Sequence, residues 1–325
     1  MIQVIESPNT SFFLFLYNII SGKKENRLHP LGMKIMSKYK HLPDEMVQLE
    51  TLYQQKLIPT HPFYYCVFAI NTEKSLLSKT ISPKDGYGER LSTIYTEKIY
   101  PLAIKIEKEL DFLKFLKKEI SPESAKINEK IEKIFDNRIS SKFTEVWEID
   151  VKEKLLLVPN VLSLSHSFGL FRKKRNYSIS SPVLNKQQEV EFNSQNLISN
   201  AIHEFSHSIL KKKLIKGGNY KVVRELTEGL EIPVSLSKIH QKPEEYMEET
   251  FIKSITLFIQ SEIFKDFMSS EDIEIKNKKI LESLVNSGYV YAPEFFSKLV
   301  DNDPSKVYLD IIKRFYDTEW SKSRS

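Results

Sequence analysis

The sequence predicts an α+β fold: a small β-sheet, one helix dense in ligand-type side chains and a helical C-terminal half, preceded by a mainly helical region. Three observations predict it. Residues 1–145 carry helical periodicity almost throughout. A short apolar run bounded by turn formers follows at 155–164, and a second short candidate strand at 177–184. Amphipathic helical patterns then resume and continue to the C-terminal end. With 325 residues and 41% hydrophobic content the chain can bury a large core as one domain or two. The change of character divides it into a region 1–145, free to pack into the same domain, and a region 146–325.

In chain order, residues 1–6 predict a short strand and 11–21 a helix, while 100–118 and 125–139 predict two longer amphipathic helices. Residues 82–88 form the clearest loop, and Ser121-Pro122 marks a helix start with proline in its first turn. The apolar run 155–164 is the expected cleft strand, able to hold an extended substrate by backbone hydrogen bonds. Residues 177–184 predict another strand. Helical patterns cover 221–239, 244–267, 271–286 and 305–316.

Between the strands and these helices, residues 200–210 read Asn-Ala-Ile-His-Glu-Phe-Ser-His-Ser-Ile-Leu, an HExxH pattern. Side chains four positions apart on an α-helix share a face, about 5–6 Å apart, so His203 and His207 can reach one metal ion. Glu204 sits beside the pair, where its carboxylate can take a proton from a metal-bound water as general base. Ile198, Ile202, Phe205 and Ile209 form an apolar stripe that buries another side of the same helix. Asn193 and Ser194 offer N-cap chemistry before it, and Gly217-Gly218-Asn219 ends it after Lys211, Lys212 and Lys213.

Bulk properties narrow the classes. A net charge of +5, spread over interleaved acids and bases, argues against a dedicated nucleic-acid binder. The basic clusters Arg172-Lys173-Lys174-Arg175 and Lys276-Asn277-Lys278-Lys279 read as solvated faces. Cys66 is the only cysteine, which excludes an intrachain disulfide and a thiolate metal cage and fits a reducing compartment. No stretch approaches the roughly 18 apolar residues of a membrane span, and the apolar run at Phe12–Leu16 lacks a basic flank and cleavage site. A cytoplasmic location is expected, with a peptide or protein substrate and neither nucleic acid nor membrane as partner.

Catalytic zinc takes three protein ligands and keeps one position open, so a downstream acid is needed. A metzincin would carry glycine and histidine where this chain has Leu210 and Lys213, which excludes that class. Two glutamates compete. Glu228 lies in Leu226-Thr227-Glu228-Gly229-Leu230, similar to the Glu-Gly-Leu stretch of gluzincin aminopeptidase-like proteins, but Pro233 follows and interrupts the helix that would aim it. Glu249 lies in a proline-free amphipathic stretch.

The chain also resembles a domain family of unknown function, a gluzincin-like group of HExxH proteins. Its members pair a His-Glu-Phe-x-His-Ser helix with a later Glu-x-x-Ile/Val-Arg-Ala-Ile/Val helix. Glu249-Thr250-Phe251-Ile252-Lys253-Ser254-Ile255 is similar to that second motif, with Lys253 and Ser254 in place of arginine and alanine. The opening Val4-Ile5-Glu6-Ser7-Pro8-Asn9 and the later Gly288-Tyr289-Val290-Tyr291 extend the similarity over nearly the whole chain. The resemblance implies a zincin-like zinc metallopeptidase with His203, His207 and Glu249 as ligands. Lysine at position 253 does not reproduce the bidentate contact of arginine. Tyr289, Tyr291 and His166 are the candidate donors to a developing oxyanion. His29, His41, His61 and His240 lack paired ligand spacing and read as surface or capping residues. The alternative to an enzyme is a zincin-like module that binds peptide or protein without turning it over.

Overall fold

The computed structural model describes residues 2–22, 30–37, 43–71, 88–134, 137–150, 153–160, 162, 167–172, 175–181, 183–184, 190–191, 194–300 and 302–323. It is a mixed α/β fold, mostly helical, around one small four-stranded sheet. The strands are β1 (Ile2–Val4), β2 (Leu155–Pro159), β3 (Phe168–Arg172) and β4 (Arg175–Ser180), in the order β1-β2-β4-β3. β1 and β4 both run parallel to β2, whereas β3 pairs antiparallel with β4. A separate two-residue ladder joins β5 (Val183–Leu184) to β6 (Val190–Glu191).

Between β1 and β2 in the chain lie α1 (Pro8–Ile20), α2 (Pro30–Ser37), α3 (Asp44–Gln54), α4 (Pro62–Asn71), α5 (Gly88–Ile94), α6 (Tyr100–Leu110), α7 (Phe112–Phe115), α8 (Ser121–Ile134) and α9 (Asn137–Val146). Ser7 caps α1 by accepting the Thr10 N–H at 3.3 Å, and Pro8 occupies its first turn. Every α1 residue from Asn9 to Ile20 is buried, as expected of a helix apolar all round. The expected helix over 100–118 is broken at Asp111, which adopts a left-handed conformation with φ 44°. The loop expected at 82–88 lies outside the described residues, except that Gly88 begins α5.

After the sheet come α10 (Ser194–Lys216), α11 (Tyr220–Thr227), α12 (Pro243–Phe264), α13 (Ser270–Asn286), α14 (Ala292–Lys298) and α15 (Pro304–Ser323). The helix expected over 221–239 stops at Thr227. Gly229 then turns the chain at φ 90°, and Pro233 begins a run of turns.

Side chains alternate across β2, so Leu155 and Leu157 pack with Leu197, Ala201, Ile202 and Phe205 of α10 on one face. Leu156 and Val158 pack on the other face with Leu14 of α1 and Cys66, Val67 and Ile70 of α4. The run 155–164 is therefore not the cleft strand expected from sequence. Its described strand is central, buried along its length and paired on both sides. An unbroken apolar run is what burial on both faces demands, whereas a cleft-lining edge would alternate.

The edge beside α10 belongs to β3. Here Gly169 stands against the Glu204 backbone, and a Cβ at Gly169 would lie 1.9 Å from the Glu204 carbonyl oxygen. Its cross-strand neighbours are small or polar: Gly169 opposes Ser178 and Phe171 opposes Asn176. Asn176 Oδ1 accepts the Ser208 hydroxyl at 3.0 Å, which ties α10 to β4. This narrow seam presses the HExxH helix onto the sheet edge. Gly169→Ala should cost about 1–3 kcal/mol in denaturant unfolding, as overpacking does; an unchanged midpoint would mean that helix and strand do not touch there.

Candidate metal centre

α10 is buried on opposite sides. Leu197, Ala201, Ile202 and Phe205 join the core, while Ser206 accepts the Trp147 indole N–H at 3.1 Å. Lys212 pairs with Glu153 and Lys213 with Asp303, which ties down its C-terminal half. Its end follows the expected glycines: the Gly218 N–H reaches the Ile215 carbonyl, the Asn219 N–H reaches that of Leu214, and Gly218 is left-handed at φ 69°. At the other end Ser194 opens the helix, and Asn193 lies outside the described residues.

The remaining face carries His203 and His207. Their Nε2 atoms are 3.2 Å apart, and Glu249 Oε2 of α12 lies 3.1 Å from His207 Nε2 and 3.6 Å from His203 Nε2. Donors about 2.0–2.1 Å from one tetrahedral ion are separated by about 3.3–3.4 Å. The three atoms meet that requirement without rearrangement, and they are a group able to hold a metal ion among the described residues. Their side chains remain 20%, 23% and 18% exposed, so a fourth ligand has access.

Glu228 does not join them. It caps the end of α11 in extended conformation and is exposed. Glu249 reaches the imidazoles because α12 runs unbroken for 22 residues, started by Pro243 with Glu244 and Glu245 in its first turn.

A shell of polar contacts orients the group. Glu248 Oε1 lies 2.7 Å from His207 Nδ1, the arrangement in which a carboxylate fixes the tautomer of a ligating imidazole. Lys253 Nζ binds the second oxygen of Glu249 at 2.9 Å and sits 4.9 Å above the Tyr289 ring. Burial opposes ionisation of Glu249, but hydrogen bonds from His203 and His207 outweigh it and hold the carboxyl well below the usual range. Burial also pushes down the pKa of His207, yet its bonds to Glu248 and Glu249 carry it well above the ordinary value. Burial raises the Glu204 carboxyl, offset in part by the nearby imidazoles and by a hydrogen bond from the Gly169 backbone. That direction suits a proton acceptor working near neutral pH.

Of the candidate oxyanion donors, Tyr289 is buried with its hydroxyl 3.2 Å from His240 Nε2. Tyr291 packs against the Tyr246 ring with centroids 6.2 Å apart. His166 lies outside the described residues, as do His29 and His41. His240 is not the surface residue expected from sequence, because the turn after Pro233 folds it inward against Tyr289. His61 does act as a cap, its Nδ1 accepting the Phe63 N–H at 3.3 Å. Cys66 is buried and unpaired, and burial raises its thiol well above the ordinary range. Among the described residues no helix is long and apolar enough to cross a membrane.

Beside the group a cavity of about 500 Å³ opens next to β3, the outer strand among the described ones, with Glu204 and His207 on its wall. Sequence reasoning missed its edge strand and Glu248. A glycine inside the apolar stretch Phe168-Gly169-Leu170-Phe171 was the available signal for a strand with a close backbone neighbour. Comparison of the chain with family models, curated proteins and solved structures finds no match. The family resemblance therefore rests on the motifs quoted above.

A divalent ion held by this group would lose one of three donors without Glu249, so Glu249→Ala should abolish metal binding in a competition titration with zinc while Glu228→Ala leaves it unchanged. Glu248→Ala should weaken it by about 10–100-fold, as loss of a carboxylate behind an imidazole does. Equal effects of the Glu228 and Glu249 substitutions would remove Glu249 from the ligand set.

Proposed function

We propose that the chain is a zinc-dependent metallohydrolase of zincin-like architecture that cleaves peptide bonds. One observation carries the reading: two imidazole nitrogens and a carboxylate oxygen converge at 3.1–3.6 Å, with Glu204 adjacent on the same helix. Two imidazole nitrogens and one carboxylate oxygen, with no thiolate, form a donor set suited to catalytic zinc. A zinc ion in such a set lowers the pKa of a coordinated water to about 7 and polarises a carbonyl.

The chain's own residues supply the rest. Glu204 accepts the proton of the attacking water and returns it to the leaving amine. The Gly169 backbone lies against that of Glu204 and helps fix the stretch of helix that carries the carboxylate. Glu248 fixes the His207 ring, and Lys253 holds the Glu249 oxygen that faces away from the imidazoles. An extended peptide suits this site, because β3 is the outer strand of the described sheet and lines the cavity, where a strand-like substrate can lie alongside it.

A second reading, a module that binds peptide or protein without cleaving it, is favoured by a different observation. Glu249 is already satisfied by His203, His207 and Lys253, so the group is electrostatically complete by itself.

Replacing the base separates the two. Glu204→Gln should keep the wild-type zinc stoichiometry while turnover of a broad peptide mixture falls by about 10²–10⁴-fold. Loss of metal together with turnover would make Glu204 a structural residue. A zinc-loaded wild type that binds peptides and cleaves none would establish the second reading.

A further inference from the structure

The cavity beside Glu204 and His207 is walled mainly by carbon: Phe63 from α4, Phe168 and Phe171 from β3, Ile215 from α10 and Tyr220 from α11. Ile215 and Tyr220 are 58% and 48% exposed, so large apolar surface is presented to solvent directly beside the site. Its volume, about 500 Å³, is that of a ligand pocket rather than a packing defect.

Three consecutive lysines follow this part of α10, and they behave differently. Lys212 and Lys213 form ion pairs with Glu153 and Asp303. Lys211 is exposed, makes no ion pair among the described residues, and is the one that lines the cavity. It stands four positions after His207, about 6 Å further along the helix axis. An extended peptide advances about 3.3 Å per residue, so a carboxylate one or two residues beyond the scissile bond falls within reach of its ammonium group. Of the acids on the same wall, Glu248 is engaged with His207.

We infer that this cavity is the specificity pocket of the site: it takes a bulky apolar side chain next to the scissile bond, with a carboxylate of the same substrate held on Lys211. The substrate class is thus apolar peptide segments carrying a nearby carboxylate, either a free C-terminus or an acidic side chain. The inference deepens the metallopeptidase reading and rests on it for the word scissile; the pocket itself is testable without turnover.

The experiment is calorimetric titration of the full-length Glu204→Gln protein, with and without zinc, using N-acetylated peptides. Each carries glycine, leucine or phenylalanine at one position and ends as a free acid, as an amide, or as an amide with aspartate after that position. Leucine and phenylalanine peptides should bind at least about tenfold tighter than glycine peptides. Carboxylate-bearing forms should exceed plain amides by about twofold to fivefold, and that difference should vanish in the Glu204→Gln, Lys211→Ala double variant. A gain confined to the free acid identifies a C-terminal carboxylate; one shared by the aspartate amide identifies any carboxylate. Absence of binding, equal affinity for glycine and phenylalanine peptides, or an acid preference that survives Lys211→Ala would overturn the inference. If these preferences hold while the zinc-loaded wild type cleaves none of the peptides, the metallopeptidase reading fails and the pocket stands as a binding site.

Discussion

The arrangement depends on how closely α10 can lie against the edge of the sheet. A glycine at position 169 lets the β3 backbone touch the backbone of Glu204, where any larger residue would hold the helix away. Across the ladder Ser178 and Asn176 keep the surface low and supply a partner for Ser208. The same helix is gripped from behind by Trp147 through Ser206 and at its end by Lys212 and Lys213. A helix fixed at this many points has little freedom to rotate, so the direction of His203 and His207 is set before any ligand arrives. That is the preorganisation a metal site needs.

Against this fixed face α12 presents two consecutive glutamates, and their roles diverge by geometry. Successive helical side chains differ by about 100° in direction. Glu249 therefore points between the two imidazoles, while Glu248 reaches the far nitrogen of His207. Both carboxylates come from one rigid element packed into the core through Phe251, Ile252 and Ile255. Lys253 pairs with Glu249, and its ammonium group also lies over the Tyr289 ring. Buried charge of this kind is tolerable only when its partners are in place, and losing any one leaves an acid or a base unsatisfied.

What the sequence made legible followed the range of the interaction. The imidazole pair and Glu204 are set by spacing within one helix, so the chain order already implied their convergence. The N-terminal strand, α1 and the glycine-terminated end of α10 were visible for the same local reason. The third donor depends on packing across 42 positions; the choice between Glu249 and Glu228 turned on whether a helix survived, and Pro233 with Gly229 decided it. The sheet was harder. An apolar run marked β2 as a strand but not which side of it was open, and its unbroken character fitted a central place better than a cleft edge. β3 escaped notice because its residues, Phe168–Arg172, run directly into the basic cluster read as a solvated face. His240 was misplaced because folding inward over a turn leaves no periodic trace.

The central claim is that His203, His207 and Glu249 together hold one zinc ion. X-ray absorption at the zinc edge of the purified, zinc-supplemented protein tests it most directly. The account predicts about one zinc per chain with a nitrogen and oxygen shell at about 2.0–2.1 Å, outer scattering from two imidazoles and no sulfur. A chain that retains no zinc, or a zinc with a sulfur shell at about 2.3 Å, would contradict it.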